Sequence, residues 1–135
     1  MGQQQLLLII LGVIVVGIAV AVGITMFQDN AVSANRDAVT NDLVNLASRA
    51  QQYYRRPTAL GGGGNSFVGL TADAAGLAKL TSKPSNANGT YSIMTAGTAT
   101  SVVLKGVGVE KGTNGQPIEI HMYVFADSTG VDQRN

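Results

Sequence analysis

Leu6–Phe27 reads LLLIILGVIVVGIAVAVGITMF, with no charged side chain and one side-chain hydroxyl, at Thr25. As a helix this run is long enough to cross the roughly 30 Å hydrocarbon layer of a bilayer, and a helix satisfies its own backbone polar groups in lipid. A cleaved secretory signal would carry a basic flank ahead of a shorter apolar run and a small-residue cleavage site behind it. Here Met1, Gly2 and three glutamines precede the run and Gln28-Asp29 follow it. Retention of the segment is therefore expected. The nearest Lys/Arg, Arg36, Arg49, Arg55 and Arg56, all follow the run, and taken alone they would hold the C-terminal part in the cytoplasm. A basic leader removed during processing would resolve this conflict, because its charges would fix the N-terminus inside first.

Beyond Gln28 the apolar positions thin to a stripe at Val32, Val39, Leu43, Leu46, Ala47, Ala50, Tyr53 and Tyr54, in steps mostly of three and four. That spacing predicts one face of an amphipathic helix. Asn35, Asp37, Asn41, Asp42, Asn45, Ser48 and Arg49 are assigned to the opposite face, and no glycine or proline falls between Ile24 and Arg56. One helix is thus expected from about Gln3 to Tyr54, roughly 75 Å long at 1.5 Å per residue. Arg56 precedes Pro57, which disfavours helical geometry and supplies a stop.

The remainder, 57–135, reads as a small β-rich head. Pro57–Ser66, PTALGGGGNS, contains four consecutive glycines with no side chains to pack and is expected to be a flexible link. It lacks the lysine of a phosphate-cradling loop. Leu70–Leu80 reads as a short helix or turn with Thr71 as its cap. Thr90–Ala96, Thr100–Val109 and Ile118–Ala126 read as three strands of an antiparallel meander, separated by short turns. In the last of them Ile118, Ile120, Met122, Val124 and Ala126 alternate with Glu119, His121, Tyr123 and Phe125. The aliphatic face should therefore lie on the amphipathic half of the long helix, over Val39, Leu43, Leu46, Ala47, Ala50 and Tyr54. The expected class is α+β: an apolar helical segment over 1–28, its amphipathic continuation over 29–56, and a small antiparallel sheet packed on that continuation.

With 135 residues, the chain beyond the apolar segment has room for one small domain. Nine Lys+Arg against 8 Asp+Glu leave a net charge of +1, which gives no basic field for nucleic acid. The absence of cysteine excludes disulfides, thiolate metal sites and a cysteine nucleophile. Seventeen glycines with only 13% charged residues fit a surface that packs closely on copies of itself. They fit equally a composition diluted by the apolar helix and the glycine-rich loops.

Little in the chain suggests chemistry. His121 is the only histidine and is assigned to the non-aliphatic face of its strand, as a surface or subunit-contact residue with no partners for a metal or a triad. Ala126–Asp132 holds two acids in a turn without calcium-loop spacing and reads as solvated. Asn88-Gly89-Thr90 is a glycosylation sequon, so Asn88 could carry a sugar if the chain is exported where the machinery exists. No catalytic, cofactor-binding or metal-binding residue is assigned, no cofactor is expected, and an enzyme is the least supported class.

A long helix that is apolar in its first half and amphipathic in its second, followed by a small β-rich head, resembles the type IV pilins and pseudopilins. The resemblance covers the architecture of the whole chain and, at the level of residues, the N-terminal half. Members of that family lose a leader ending in Gly, begin with an often N-methylated apolar residue, and usually carry Glu at the fifth mature position. If Met1 is first, Gln5 occupies that position; if Gly2 ends the leader, Leu7 does. In either register the acid that would pair with a neighbour's ammonium is replaced, and a neutral Gln can still accept a hydrogen bond at lower desolvation cost. The resemblance implies a structural subunit, a major pilin, that passes from the inner membrane into a homopolymeric extracellular filament for adhesion, motility or surface attachment. Its assembly surface would be Met1, Gln5, Leu6, Leu7, Ile10, Leu11, Gly12, Ile14, Gly17, Val20, Gly23 and Phe27. It implies as partners a prepilin peptidase, an inner-membrane platform and an assembly ATPase. Gly12, Gly17 and Gly23 would let neighbouring helices approach, or Gly17–Gly23 would be locally melted; plain tolerance of glycine in membrane helices is the third reading. A secretion pseudopilin and a single-pass membrane-anchored binding module are the competing functions.

Overall fold

The computed structural model describes residues 2–134. One helix, α1, runs Gly2–Arg55 without a break. The three glycines of its apolar half cost about 1 kcal/mol each in helix propensity, spread over many turns whose backbone groups all find partners, and no melted stretch separates Gly17 from Gly23. A four-stranded antiparallel sheet follows, made of β1 (Gly89–Thr95), β2 (Ser101–Lys111), β3 (Pro117–Phe125) and β4 (Thr129–Gln133), in the order β1-β2-β3-β4. Together these give the α+β architecture of a long apolar N-terminal helix and a small antiparallel sheet.

Sheet and helix meet along the predicted stripe. Tyr91 and Ile93 of β1, Val102 and Leu104 of β2, and Ile118, Ile120, Met122 and Val124 of β3 turn inward and are buried. On α1 they meet Val39, Leu43, Leu46, Ala47, Ala50 and Tyr53; burying a valine or leucine fully, as at Val39 and Leu43, stabilises by about 1.5–3 kcal/mol. Tyr54 is half-buried and stacks on Phe67, with ring centroids 4.8 Å apart. Further along β2 the inward positions, Gly106 and Gly108, carry no side chains. A Cβ on Gly106 would stand 2.7 Å from Val39 Cγ1 and 3.2 Å from Leu43 Cδ1, and one on Gly108 would overlap Asn35. These two glycines let the helix lie directly on the sheet.

Four expectations are corrected. The tail read as a solvated turn forms β4, which pairs Val131 with Met122 and Asp132 with His121 and makes the meander four-stranded. His121 does lie on the face away from α1, but β4 turns β3 into an interior strand, so the ring is only 4% exposed. In the short segment Ala74–Ala78, α2, the N-cap is Asp73 and not Thr71; Asp73 Oδ1 accepts from Gly76 N at 2.9 Å and from Thr71 Oγ1 at 2.6 Å.

The fourth correction concerns the glycine-rich segment, which is an ordered cap and not a flexible link. After a single 3-10 turn at Thr58–Leu60 the chain folds back over the end of α1. Gly63 N donates to Tyr53 O (2.8 Å), Asn65 N to Tyr54 O (2.7 Å) and Gly64 N to Arg56 O (3.0 Å). Carbonyls that a helix end leaves without partners are thereby satisfied. The approach is close: a Cβ on Gly63 would run into Ser66 O and stand 2.9 Å from Tyr53 Cε1.

Candidate assembly surface

Two surfaces of α1 behave differently, and the head separates them. Residues 29–55 are bound into the head by polar contacts ringing the apolar stripe. Asn35, assigned by its polarity to the outer face, is buried: its Nδ2 donates to Asn88 O at 2.8 Å and its Oδ1 accepts from Glu110 N at 3.2 Å. On one flank Asp42 Oδ2 accepts from Asn86 Nδ2 (2.9 Å), Asn88 Nδ2 (3.1 Å) and the Tyr91 hydroxyl, while Arg49 Nη1 donates to Leu80 O (3.0 Å). On the other, Gln51 Nε2 donates to Phe125 O at 3.0 Å. Partial burial by itself would raise the Asp42 carboxyl, but the hydrogen bonds from Tyr91, Asn86 and Asn88 outweigh it and hold the group below its usual value of 3.8. Tyr91 is pushed well above 10.0 by its burial and by the adjacent carboxylate.

Asn88, the sequon residue, sits inside this cluster. Its Nδ2, the atom a glycan would need, is half-buried and donates to Asp42. A sugar there would have to break the lock between helix and head.

On the outer sheet face His121 Nε2 lies 2.5 Å from Glu119 Oε1, and Lys105 Nζ stands 4.0 Å from the same carboxylate. The hydrogen bond to His121, with the neighbouring charges, holds Glu119 below its usual range even though burial opposes this. Among the described residues no group of three or more His, Asp or Glu side chains gathers in a way that could hold a metal ion.

The apolar half of α1 touches nothing. None of its most apolar window is buried; Leu6, Leu7, Ile10, Leu11, Ile14 and Val20 stand open on all sides, and Phe27 is 75% exposed. Gln5 is exposed as well. Nothing lies within 4 Å of where a Cβ would stand on Gly12, Gly17 or Gly23. The single hydroxyl, Thr25 Oγ1, is turned back onto Ala21 O at 3.1 Å, which leaves no unsatisfied side-chain group in the run. Met1 lies outside the described residues. This is the one helix among them long and apolar enough to cross a membrane. At 1.5 Å per residue the uncharged run spans about 33 Å, which matches a hydrocarbon layer.

The cap glycines, Asn35, Asp42 and β4 escaped the sequence reading. For Asn35 a signal exists: Val32, Asn35, Val39, Leu43 and Leu46 step by three and four, so the spacing places it in the stripe despite its amide. No family model matches the sequence, and no curated protein and no solved structure matches it.

Proposed function

We propose that this chain is the repeating structural subunit of a type IV pilus-like extracellular filament. Helix α1 would hold it in a membrane before assembly and join it to its copies afterwards. The observation that carries this reading is the contrast along one helix. The apolar face of residues 39–53 is sealed under the head, while residues 6–27 present apolar side chains in every direction. Burying each of those large side chains is worth about 1.5–3 kcal/mol, so the run cannot rest in water and must be covered by lipid or by protein.

A surface that is apolar all round suits both environments. In a bilayer it is solvated by acyl chains; in a filament it is covered by the same helix of neighbouring subunits, so polymerisation exchanges lipid contacts for protein contacts. Gly12, Gly17 and Gly23 remove side-chain bulk where backbones would approach. With Gln5 in place of an acid, register between subunits would come from apolar packing and amide hydrogen bonds and not from a buried ion pair. The role is structural, serving adhesion, motility or surface attachment.

Electron microscopy of material sheared from cells expressing the chain with its assembly machinery tests the proposal. Long fibres built of this chain support it. Stubby assemblies confined to the envelope would make it a secretion pseudopilin. A protein that stays monomeric in detergent and forms no filament would make it a membrane-anchored module.

A further inference from the structure

The hairpin joining β2 and β3 runs down the helix toward its apolar half. Gly106 lies against Val39 and Leu43, and the backbone at Glu110 is bonded to Asn35. The end of β2 stands beside the helix at Gln28 and Val32. Between hairpin and helix an open crevice of about 460 Å³ is lined by Gln28, Val32, Val109, Glu110, Lys111 and Gly112. Gln28 directly follows the uncharged run, so when α1 spans a bilayer this crevice is level with the headgroups.

Its chemistry suits that layer. Val32 and Val109 supply apolar walls, and Val109 is 61% exposed, a large apolar side chain with nothing over it. Lys111 and Glu110 set one positive and one negative charge at the rim, which matches a zwitterion and gives no preference for an anionic surface. The hairpin tip, Gly112–Gln116, is uncharged and braced internally, with Gly112 N donating to Gln116 O (2.8 Å) and Gln116 N to Asn114 Oδ1 (3.0 Å). A tip without charges enters the interface at little desolvation cost.

We propose that this crevice seats the headgroup of a zwitterionic phospholipid, so that the β2–β3 hairpin rests on the bilayer surface while α1 spans it. The phosphate faces Lys111 and Gln28, and the ammonium faces Glu110. The head is then seated flush on the membrane and fixed in tilt until it leaves for the filament. This inference rests on the reading of α1 as a spanning helix.

The absence of cysteine allows single nitroxide labels to be placed at will. The full chain, reconstituted in phosphatidylcholine vesicles, is labelled at Ile14→Cys, Thr113→Cys or Leu60→Cys, and collision with oxygen and with a water-soluble nickel chelate is measured. The Leu60 label, at the far end of the head, should be fully open to nickel. The Thr113 label should be shielded from nickel several-fold relative to Leu60, at headgroup depth. Lys111→Glu, at an exposed position and therefore expected to leave thermal unfolding unchanged, should return the Thr113 label to the Leu60 level without moving the Ile14 label. Equal nickel access at Thr113 and Leu60, or indifference of Thr113 to Lys111→Glu, overturns the headgroup site. An Ile14 label open to nickel overturns the spanning helix itself.

Discussion

Gly108→Ala should destabilise the head by breaking the contact between β2 and α1. Gly108 sits on β2 facing α1, and its backbone is ordinary extended strand that alanine adopts without strain. A Cβ there would overlap Asn35 Oδ1 and stand 3.2 Å from Ile118 Cβ. Ile118 is fully buried on the neighbouring strand and cannot yield, so Asn35 must swing away. It then loses both its bond to Asn88 O and the one it accepts from Glu110 N. Each neutral hydrogen bond contributes about 1 kcal/mol, and overpacking adds about 1–3 kcal/mol, for a loss of roughly 3–5 kcal/mol. In a domain of this size that loss lowers Tm by roughly 10 °C or more. Thermal unfolding of the full chain in detergent, followed by near-ultraviolet circular dichroism, measures it. Gly130→Ala is the control, because nothing lies within 4 Å of its Cβ; it should be nearly neutral. Asn35→Ala combined with Gly108→Ala should be less damaging than the sum of the two, since the overlapping atom is gone. Gly108→Ala as mild as Gly130→Ala would refute the reasoning that the helix lies directly on β2.

Leu43→Ala, at a position with no exposure, should destabilise by about 2–5 kcal/mol through the cavity it leaves, read by the same unfolding assay. The Asp42 lock should show in the pH dependence of stability. Because the folded carboxyl is held below 3.8, its contribution is complete above that value and is lost as the pH falls through the lowered folded one, and Asp42→Asn should flatten this acid limb. Tyr91 acts at the other end: with its hydroxyl held above 10.0, its contribution is complete below that pH and is lost as the solution becomes more alkaline, a limb that Tyr91→Phe should remove. Gly63→Val should unseat the cap, seen as faster amide exchange over the last turns of α1 with little change in the sheet.

Much of this fold is legible because its two periods are clean. The alternation from Ile118 to Val124 and the three-and-four stepping from Val39 to Tyr53 each name one face, and the two faces meet. What escaped reading depends on pairing that no local pattern announces. Thr129–Gln133, TGVDQ, carries a glycine and an aspartate, and it becomes a strand because β3 offers it an open edge. His121 follows from that: its face is set by alternation, but its burial is set by β4. Four glycines in a row look like a link when entropy alone is counted. Here the amides of Gly63, Gly64 and Asn65 are donors to the carbonyls at the end of α1 and just beyond it, and the missing side chain of Gly63 leaves the room for that approach. Asn35 shows the complementary failing, in which polarity is allowed to overrule spacing. The exposed half of α1 is the reverse case, since composition alone identifies it and the head leaves it uncovered.

A helical reconstruction of filaments formed by this chain tests the central claim most directly. Residues 6–27 of every subunit should lie together as helices along the filament axis, in contact with one another near Gly12, Gly17 and Gly23, with the heads outside. A polymer joined head to head, with those helices apart or pointing outward, would contradict it.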